Sequence, residues 1–508
     1  MSLHHAALTD FSAITLLALL IRWLVSLWGY SGRDTPPVFG DYEAQRHWME
    51  VTINLPLGQW YFFDLNYWGL DYPPLTAYVS WACGVLSSTL EPASMVLGNS
   101  RGYETETHKA FMRFTVLVAD LLIFFPAAWQ LSKKLSGKKA VTAACFALVL
   151  CQPGFLLIDH GHFQYNNVSL GLALGAAAAL LENHDLTASF LFCLSLNFKQ
   201  MSLYYAPVFF IYLLAQCARR ASPFRHLVMI GGTVISTFAF LWAPFCMFPA
   251  EGMTCADSIH QIVVRLFPFN RGLFEDKVAN FWYVLSIPLD LRDRYHVSTL
   301  KLLSLGATLL LLTPVLVDLF QRGPTSPPQR LLLALHNSAL SFFLCAFQVH
   351  EKSILLPLAP LAFLATDDPL FVGWISVVAT FSMYPLLSRD GLVIPYAVCI
   401  GAFLLALWAY QEIFAESLRA HVARSASFSP LFLKIRRWVV SVSALGMVTV
   451  HALWCLVPPP IRYPDIYPLL VAVFSFGHFA LAYGYCIAWQ WSIRVDTSMK
   501  VEKNIKAE

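Results

Sequence analysis

Apolar runs of about 17–25 residues recur along this chain, and a run of that length is what a helix needs to cross the hydrocarbon core of a bilayer. The residue balance agrees: 57% of the chain is hydrophobic and 13% charged, where a soluble domain carries about 25% charged residues. The expected fold is an all-α polytopic membrane protein, one membrane-embedded domain over 1–508. About fourteen spans are expected, near 11–30, 110–131, 139–158, 165–182, 186–198, 201–216, 226–247, 299–320, 331–347, 352–366, 370–387, 393–412, 438–457 and 467–492. The stretch "ANFWYVLSIPLD" at 279–290 is apolar but too short to span. The first run contains Arg22 and lacks a small-residue cleavage motif, so it reads as a retained helix. A net charge of +3 is too small to point to nucleic acid.

Lysine and arginine mark the cytoplasmic side of a membrane protein. Lys133, Lys134, Lys138 and Lys139, then Arg219, Arg220 and Arg225, then Arg322 and Arg330, then the basic 413–437 connection, fall on one side only if 279–290 does not cross. Both termini are then expected in the cytoplasm, with 31–109, 158–164, 248–298 and 347–352 on the opposite face. Two of these loops, 31–109 and 248–298, are long enough to be functional. In the first, "DYEAQRHWMEVTINL" and "EPASMVLGNS" are expected to form amphipathic surface helices. The eleven cysteines lie mostly inside apolar runs and read as packing residues. Cys246 and Cys255 are the candidate pair.

Polar residues gather on that opposite face in five stretches. "FGDYEAQRHWMEVTINLP" (39–56) carries Asp41, Glu43, Arg46, His47 and Glu50. "YWGLDYPPLTAY" (67–78) holds Asp71 on a turn stiffened by two prolines, either as a site residue or as a cap for the next helix. "IDHGHFQYNNVSL" (158–170) brings His162, Gln164, Tyr165 and Asn166 to a membrane boundary. Polar groups there must be satisfied or wet, so a polar cavity lining is favoured over a metal site. Asn167 begins a formal glycosylation sequon, too close to the membrane to be used. "VVRLFPFNRGLFEDKVANFW" (263–282) puts Arg265 and Arg271 where basic residues are unexpected, for an anionic ligand or for pairing with Glu275 and Asp276. "FQVHEKSIL" (347–355) sets His350, Glu351 and Lys352 in a hinge between two apolar runs.

Acids suited to base catalysis and cations suited to a phosphate fit sugar transfer from a lipid phosphate. A phosphate ester leaves without a proton, so one general base is enough, while cations neutralise the charge growing on the phosphate. A glycosidase would need a second carboxyl as acid. No phosphate-cradling glycine loop is present. A transporter or lipid scramblase is the competing class, but its polar residues belong at midplane rather than at one face.

The runs "GDYEAQRHWME", "YWGLDYPPLTAY", "GHFQYN", "NRGLFEDKVAN" and "FQVHEKSIL" closely resemble the endoplasmic-reticulum dolichyl-phosphate-glucose-dependent glucosyltransferases. The resemblance extends from about Asp41 to the "HEK" hinge and is weaker beyond it. It is nearer to the branch that adds the first α-1,3-linked glucose to lipid-linked oligomannose than to the sister branch that adds the second. The resemblance implies a GT-C type fold, a multi-pass protein of the endoplasmic-reticulum membrane with a lumenal site, and an inverting single displacement. It implies dolichyl phosphate glucose as donor, a dolichyl-pyrophosphate-linked oligomannose as acceptor, and no other cofactor. By the same resemblance Asp41 matches the base and Asp71 the second loop aspartate. His350 matches the donor-phosphate histidine, with Lys352 and Arg271 expected beside it. Glu43, His162, Gln164, Tyr165, Asn166 and Glu351 are expected around the substrate cavity. No metal is expected, since lysine and arginine can supply the positive charge.

Overall fold

The computed structural model describes residues 11–267, 277–415 and 430–494. Among the described residues all regular structure is helical. Six helices are long and apolar enough to cross a bilayer: Glu106–Leu135, Pro223–Met247, Val297–Thr325, Val393–Ile413, Lys434–Leu456 and Ile466–Ser492. A seventh crossing is possible for Lys139–Leu150 and Pro153–Phe163, a pair bent by 40°. Pro153, which lacks an N–H, stands at that break. Shorter apolar helices include Asn166–Leu181 and Asp185–Phe198. Large apolar side chains such as Phe224, Phe240, Leu302 and Leu310 are more than two-thirds exposed, a surface that water would not tolerate but lipid does. The chain is a multi-pass membrane protein.

The expected runs are less continuous than their hydropathy. The 201–216 run begins as a 3-10 stretch, Gln200–Tyr205, before Ala206–Cys217. The 352–366 run is a short α-helix, Leu355–Ala362, between two 3-10 turns. The Phe281–Leu289 helix has nine residues and, as expected, is too short to cross.

At the centre lies Asn166–Leu181, a helix of alanine, glycine and leucine buried almost all round. Its small residues let neighbours approach closely: a Cβ on Gly171 would meet Phe124 Cα at 2.9 Å. Charge buried beside it is neutralised internally. Asp120 Oδ2 accepts from Arg22 Nε at 2.7 Å and Asn167 Nδ2 at 3.0 Å, with His160 Nε2 at 2.9 Å. A buried ion with this many partners does not bear the full desolvation cost.

The first loop departs from expectation. Asp41–Asn54 is a helix, but Tyr42 through Thr52 are all buried, so it is not a surface helix. Its charges pair with one another: Arg46 binds Glu43 at 2.6 Å and Glu50 at 2.7 Å. "EPASMVLGNS" yields only the 3-10 turn Pro92–Met95, and the helix after Asp71, Pro74–Leu90, has 17 residues and packs on Asp41–Asn54. In the second loop a disulfide joins Cys246, at the end of Pro223–Met247, to Cys255, at the start of Cys255–Leu266.

Candidate active site

Asp41 opens the Asp41–Asn54 helix. Gly40 before it touches Ser31, where a Cβ would come within 2.5 Å of Ser31 C, and the Asp41 N–H donates to Ser31 Oγ at 3.1 Å. Facing it is a π-helical stretch, Leu156–Phe163, a wide turn common at functional sites. It ends at Phe163 with φ of 84°, a left-handed conformation that a bulky residue holds only where packing imposes it. The turn delivers His162 and Gln164 to Asp41. The His350–Lys352 hinge delivers the third donor.

All three reach one oxygen. Asp41 Oδ2 accepts from Lys352 Nζ at 2.5 Å and from Gln164 Nε2 at 2.5 Å, and His162 Nε2 lies 2.9 Å away. Burial pushes the Asp41 carboxyl up, but the Lys352 ammonium and the His162 contact outweigh it and hold it well below the usual carboxylate range. Burial lowers Lys352 in turn, and Asp41 with Glu351 raises it above the ordinary lysine value. Both groups are therefore charged at neutral pH.

The Asp41 carboxyl forms part of the wall of a cavity of about 650 Å³, on the scale of a small-molecule site. The same wall holds Asp71, His162, Gln164, Asn166, Arg265, His350, Glu351 and Lys352. Four loops expected on one side of the membrane thus meet at one place. Asp71 does not cap the next helix, whose N-cap is Pro73 with no side-chain bond. Its carbonyl accepts from Gln200 Nε2 at 3.2 Å. Arg265 donates to the carbonyls of Gly69 and Leu70 at 2.7 and 3.1 Å, tying down the turn that bears Asp71. Glu351 Oε2 is buried with no hydrogen-bond partner among the described residues.

Two expected cavity residues stand elsewhere. Glu43 points into the ion cluster of its own helix, where Arg46 and the Tyr67 hydroxyl (2.9 Å) occupy it. Tyr165 is buried with its hydroxyl 2.6 Å from Thr115 Oγ1, while its neighbour Gln164 lines the cavity. Arg271 lies outside the described residues.

Sequence reasoning missed Lys199 and Asp390. Lys199 Nζ donates to Asn166 Oδ1 at 2.5 Å and Gln164 Oε1 at 3.3 Å, and sits over the Tyr72 ring. Burial, reinforced by Lys352, brings its ammonium down to about 8. Asp390 Oδ2 lies 2.5 Å from His162 Nδ1. The available signal was charge at the end of an apolar run, Lys199 alone and Asp390 beside Arg389, which is functional by default in a membrane protein. Among the described residues no group of three or more His, Cys, Asp and Glu side chains is placed to hold a metal ion.

An all-helical membrane protein with an ionised carboxylate among cations, at the wall of a cavity of small-molecule size, has the build of a membrane-embedded group transferase. Comparison with known proteins narrows the class: residues 18–485 match the ALG6, ALG8 glycosyltransferase family, and the chain belongs to it. It is similar to the Gallus gallus dolichyl pyrophosphate Man9GlcNAc2 alpha-1,3-glucosyltransferase, 45% identical over 91% of this chain and 93% of that protein. A probable enzyme of the same description from Dictyostelium discoideum is 42% identical over 93% of each chain. The Mus musculus enzyme is 41% identical over 94% of this chain and 96% of its own.

Proposed function

We propose that this chain transfers glucose from dolichyl phosphate β-glucose to the terminal mannose of a dolichyl-pyrophosphate-linked Man9GlcNAc2 glycan. The product is the first α-1,3-glucosidic linkage of the N-glycan precursor. The observation that carries this reading is the Asp41 carboxylate, ionised and held by Lys352 and His162 at the cavity wall. Similarity to relatives of the described activity across more than nine-tenths of the chain supports the choice of acceptor. The donor follows from the resemblance of the motifs and from a site that offers cations without a nucleotide-binding loop.

In this reading Asp41 takes the proton from the mannose 3-hydroxyl as its oxygen attacks C1 of glucose. The C1–O bond to phosphate breaks from the opposite face, so the β-linked donor gives an α-linked product. Its electron pair leaves on dolichyl phosphate, whose negative charge Lys352, His350 and Arg271 neutralise. Asp71, on its clamped turn, holds the acceptor sugar. Gln164, Asn166 and Glu351 complete the sugar-facing wall, and no metal takes part. The chain is placed in the endoplasmic-reticulum membrane with about fourteen crossings, its cavity lumenal and its termini cytoplasmic.

Purified protein supplied with dolichyl phosphate glucose and lipid-linked Man9GlcNAc2 tests the reading. D41N is expected to lose about 10²- to 10⁴-fold in kcat, the range of a positioned general base, while folding normally. Near-normal turnover refutes the base. Dolichyl phosphate mannose, and an acceptor already carrying one glucose, are expected to be poor substrates. Efficient use of the latter would move the chain to the sister activity. Turnover is expected to survive chelator.

A further inference from the structure

Behind the proposed base stands a second carboxylate that plays no part in the scheme above. Asp390 follows the Tyr384–Arg389 helix, in a turn closed by Gly391 with φ of 73°. It is 228 positions from His162 in the chain, yet its Oδ2 lies 2.5 Å from His162 Nδ1. The other ring nitrogen, Nε2, lies 2.9 Å from Asp41 Oδ2. The side chains of Asp390 and His162 are 3% and 2% exposed. The order Asp390–His162–Asp41 is thus a continuous hydrogen-bonded line from the protein interior to the cavity wall.

We infer that Asp390 and His162 are a positioning pair for Asp41, resting on the reading of Asp41 as the base. A carboxylate only accepts hydrogen bonds, so with Asp390 at Nδ1 and the ionised Asp41 at Nε2 the His162 ring carries a proton on each nitrogen, and Asp390 fixes its plane. The ring then presents Nε2 to Asp41 in one orientation. The other two groups on Asp41 Oδ2 are the long side chains of Lys352 and Gln164, which have rotamer freedom that a clamped imidazole lacks. With three partners on Oδ2 and none on Oδ1 among the described residues, the carboxylate is turned so that Oδ1 is the oxygen left for the acceptor hydroxyl. Lys352 Nζ also lies 3.1 Å from His162 Nε2. When Lys352 turns to the donor phosphate, His162 keeps the carboxylate in place.

The position of the pair supports the same role. His162 sits in the π-helical turn just before the left-handed Phe163. Gly161 beside it is packed under Leu392, where a Cβ would lie 2.9 Å from Leu392 Cδ1. Arg113 holds the Gly161 carbonyl at 2.7 Å and the Gly29 carbonyl at 2.9 Å. The backbone under His162 is therefore anchored from two sides, and Asp390 anchors the side chain from a third.

The test measures kcat and both KM values for D390A, H162A, H162Q, the double variants D390A/H162A and D390N/H162Q, and D390N, with D41N as reference. D390A is expected to lower kcat about 10- to 100-fold, the range for a group that orients a reacting residue from behind, with both KM values changed less than about twofold. Residues acting as one unit are not additive, so D390A/H162A is expected to be no slower than H162A. In H162Q the amide nitrogen stands near Nε2 and restores part of the kcat lost in H162A. Multiplying losses in D390A/H162A, or a D390A effect confined to KM, overturns the pair. If D390A does not accumulate as folded protein, D390N reads the same coupling: it lowers kcat beside His162 and leaves H162Q unchanged, and an equal effect in both backgrounds overturns the inference. Full turnover in D41N defeats the base itself. An inactive D41N with unimpaired D390A and D390N leaves the base standing and removes only the pair.

Discussion

The Asp41–Lys352 contact predicts how the enzyme responds to acid. A general base works only while ionised, and its activity falls as pH drops through its pKa. In the protein Asp41 is held well below the ordinary carboxylate value, so it contributes no acid limb above about pH 4. Lys352→Met removes the cation and leaves burial, which favours the neutral acid, so the pKa of Asp41 must rise. Unit charges 2.5 Å apart at an effective dielectric of about 20 attract by about 6.6 kcal/mol. Carboxylate charge is spread over two oxygens, and His162 and Gln164 remain as donors, with Lys199, Tyr72, Asp71, His350, Glu351 and Asp390 also nearby. Halving the gross figure on those grounds leaves about 3 kcal/mol, or about two pK units. The assay is kcat/KM for the acceptor, normalised to its plateau, from about pH 4.5 to 8.5. Lys352→Met is expected to move the acid limb about two pH units above its wild-type position, toward the acidic end of that range, whereas Lys352→Arg keeps the charge and the wild-type profile. Normalised profiles that coincide for the Met and Arg variants would refute the claim that Lys352 sets the ionisation of Asp41.

Three further outcomes are expected. Arg46→Met leaves Glu43 and Glu50 buried without their shared partner and should cost about 3–5 kcal/mol of stability, read as a lower thermal midpoint in detergent. Cys246→Ser opens a disulfide spanning nine positions, worth about 2–3 kcal/mol by loop entropy. Wild-type protein should lose its thermal midpoint advantage in reductant, and the variant should be insensitive to it. Glu351→Gln replaces a charged acceptor whose Oε2 has no partner among the described residues. If that oxygen receives a sugar hydroxyl, the variant should raise a substrate KM about tenfold, the difference between a charged and a neutral acceptor, and unchanged KM values exclude the contact.

Which parts of this architecture can be read in the sequence follows from what each signal measures. Hydropathy counts apolar side chains, so it finds the long helices but not the breaks within runs, which depend on Pro153 and on the 3-10 stretch at Gln200–Tyr205. Polar clusters in apolar surroundings are visible because they are costly there, and this is how Asp41, His162, Gln164 and Lys352 came to notice. Adjacency in such a cluster does not say where a side chain points. Glu43 and Tyr165 share motifs with Asp41 and Gln164 yet turn into the packing, and the Asp41–Asn54 helix has charges on faces that it buries by pairing them with one another. Asp390 and Lys199 failed to stand out for the opposite reason. Each lies at the end of an apolar run, Lys199 alone and Asp390 beside Arg389, where a solvated loop residue would look the same. Only a partner far away in the chain distinguishes them: Asp390 acts through His162, and Lys199 through Asn166 and Gln164. A lone acid between two apolar runs therefore carries information that becomes legible when a histidine-rich boundary elsewhere needs an acceptor. In this chain the "DHGH" run has two histidines, and each finds a carboxylate, His160 at Asp120 and His162 at Asp390. Only the second of these lines ends at the cavity, which is why it, and not the chemically similar first, is the one that bears on Asp41.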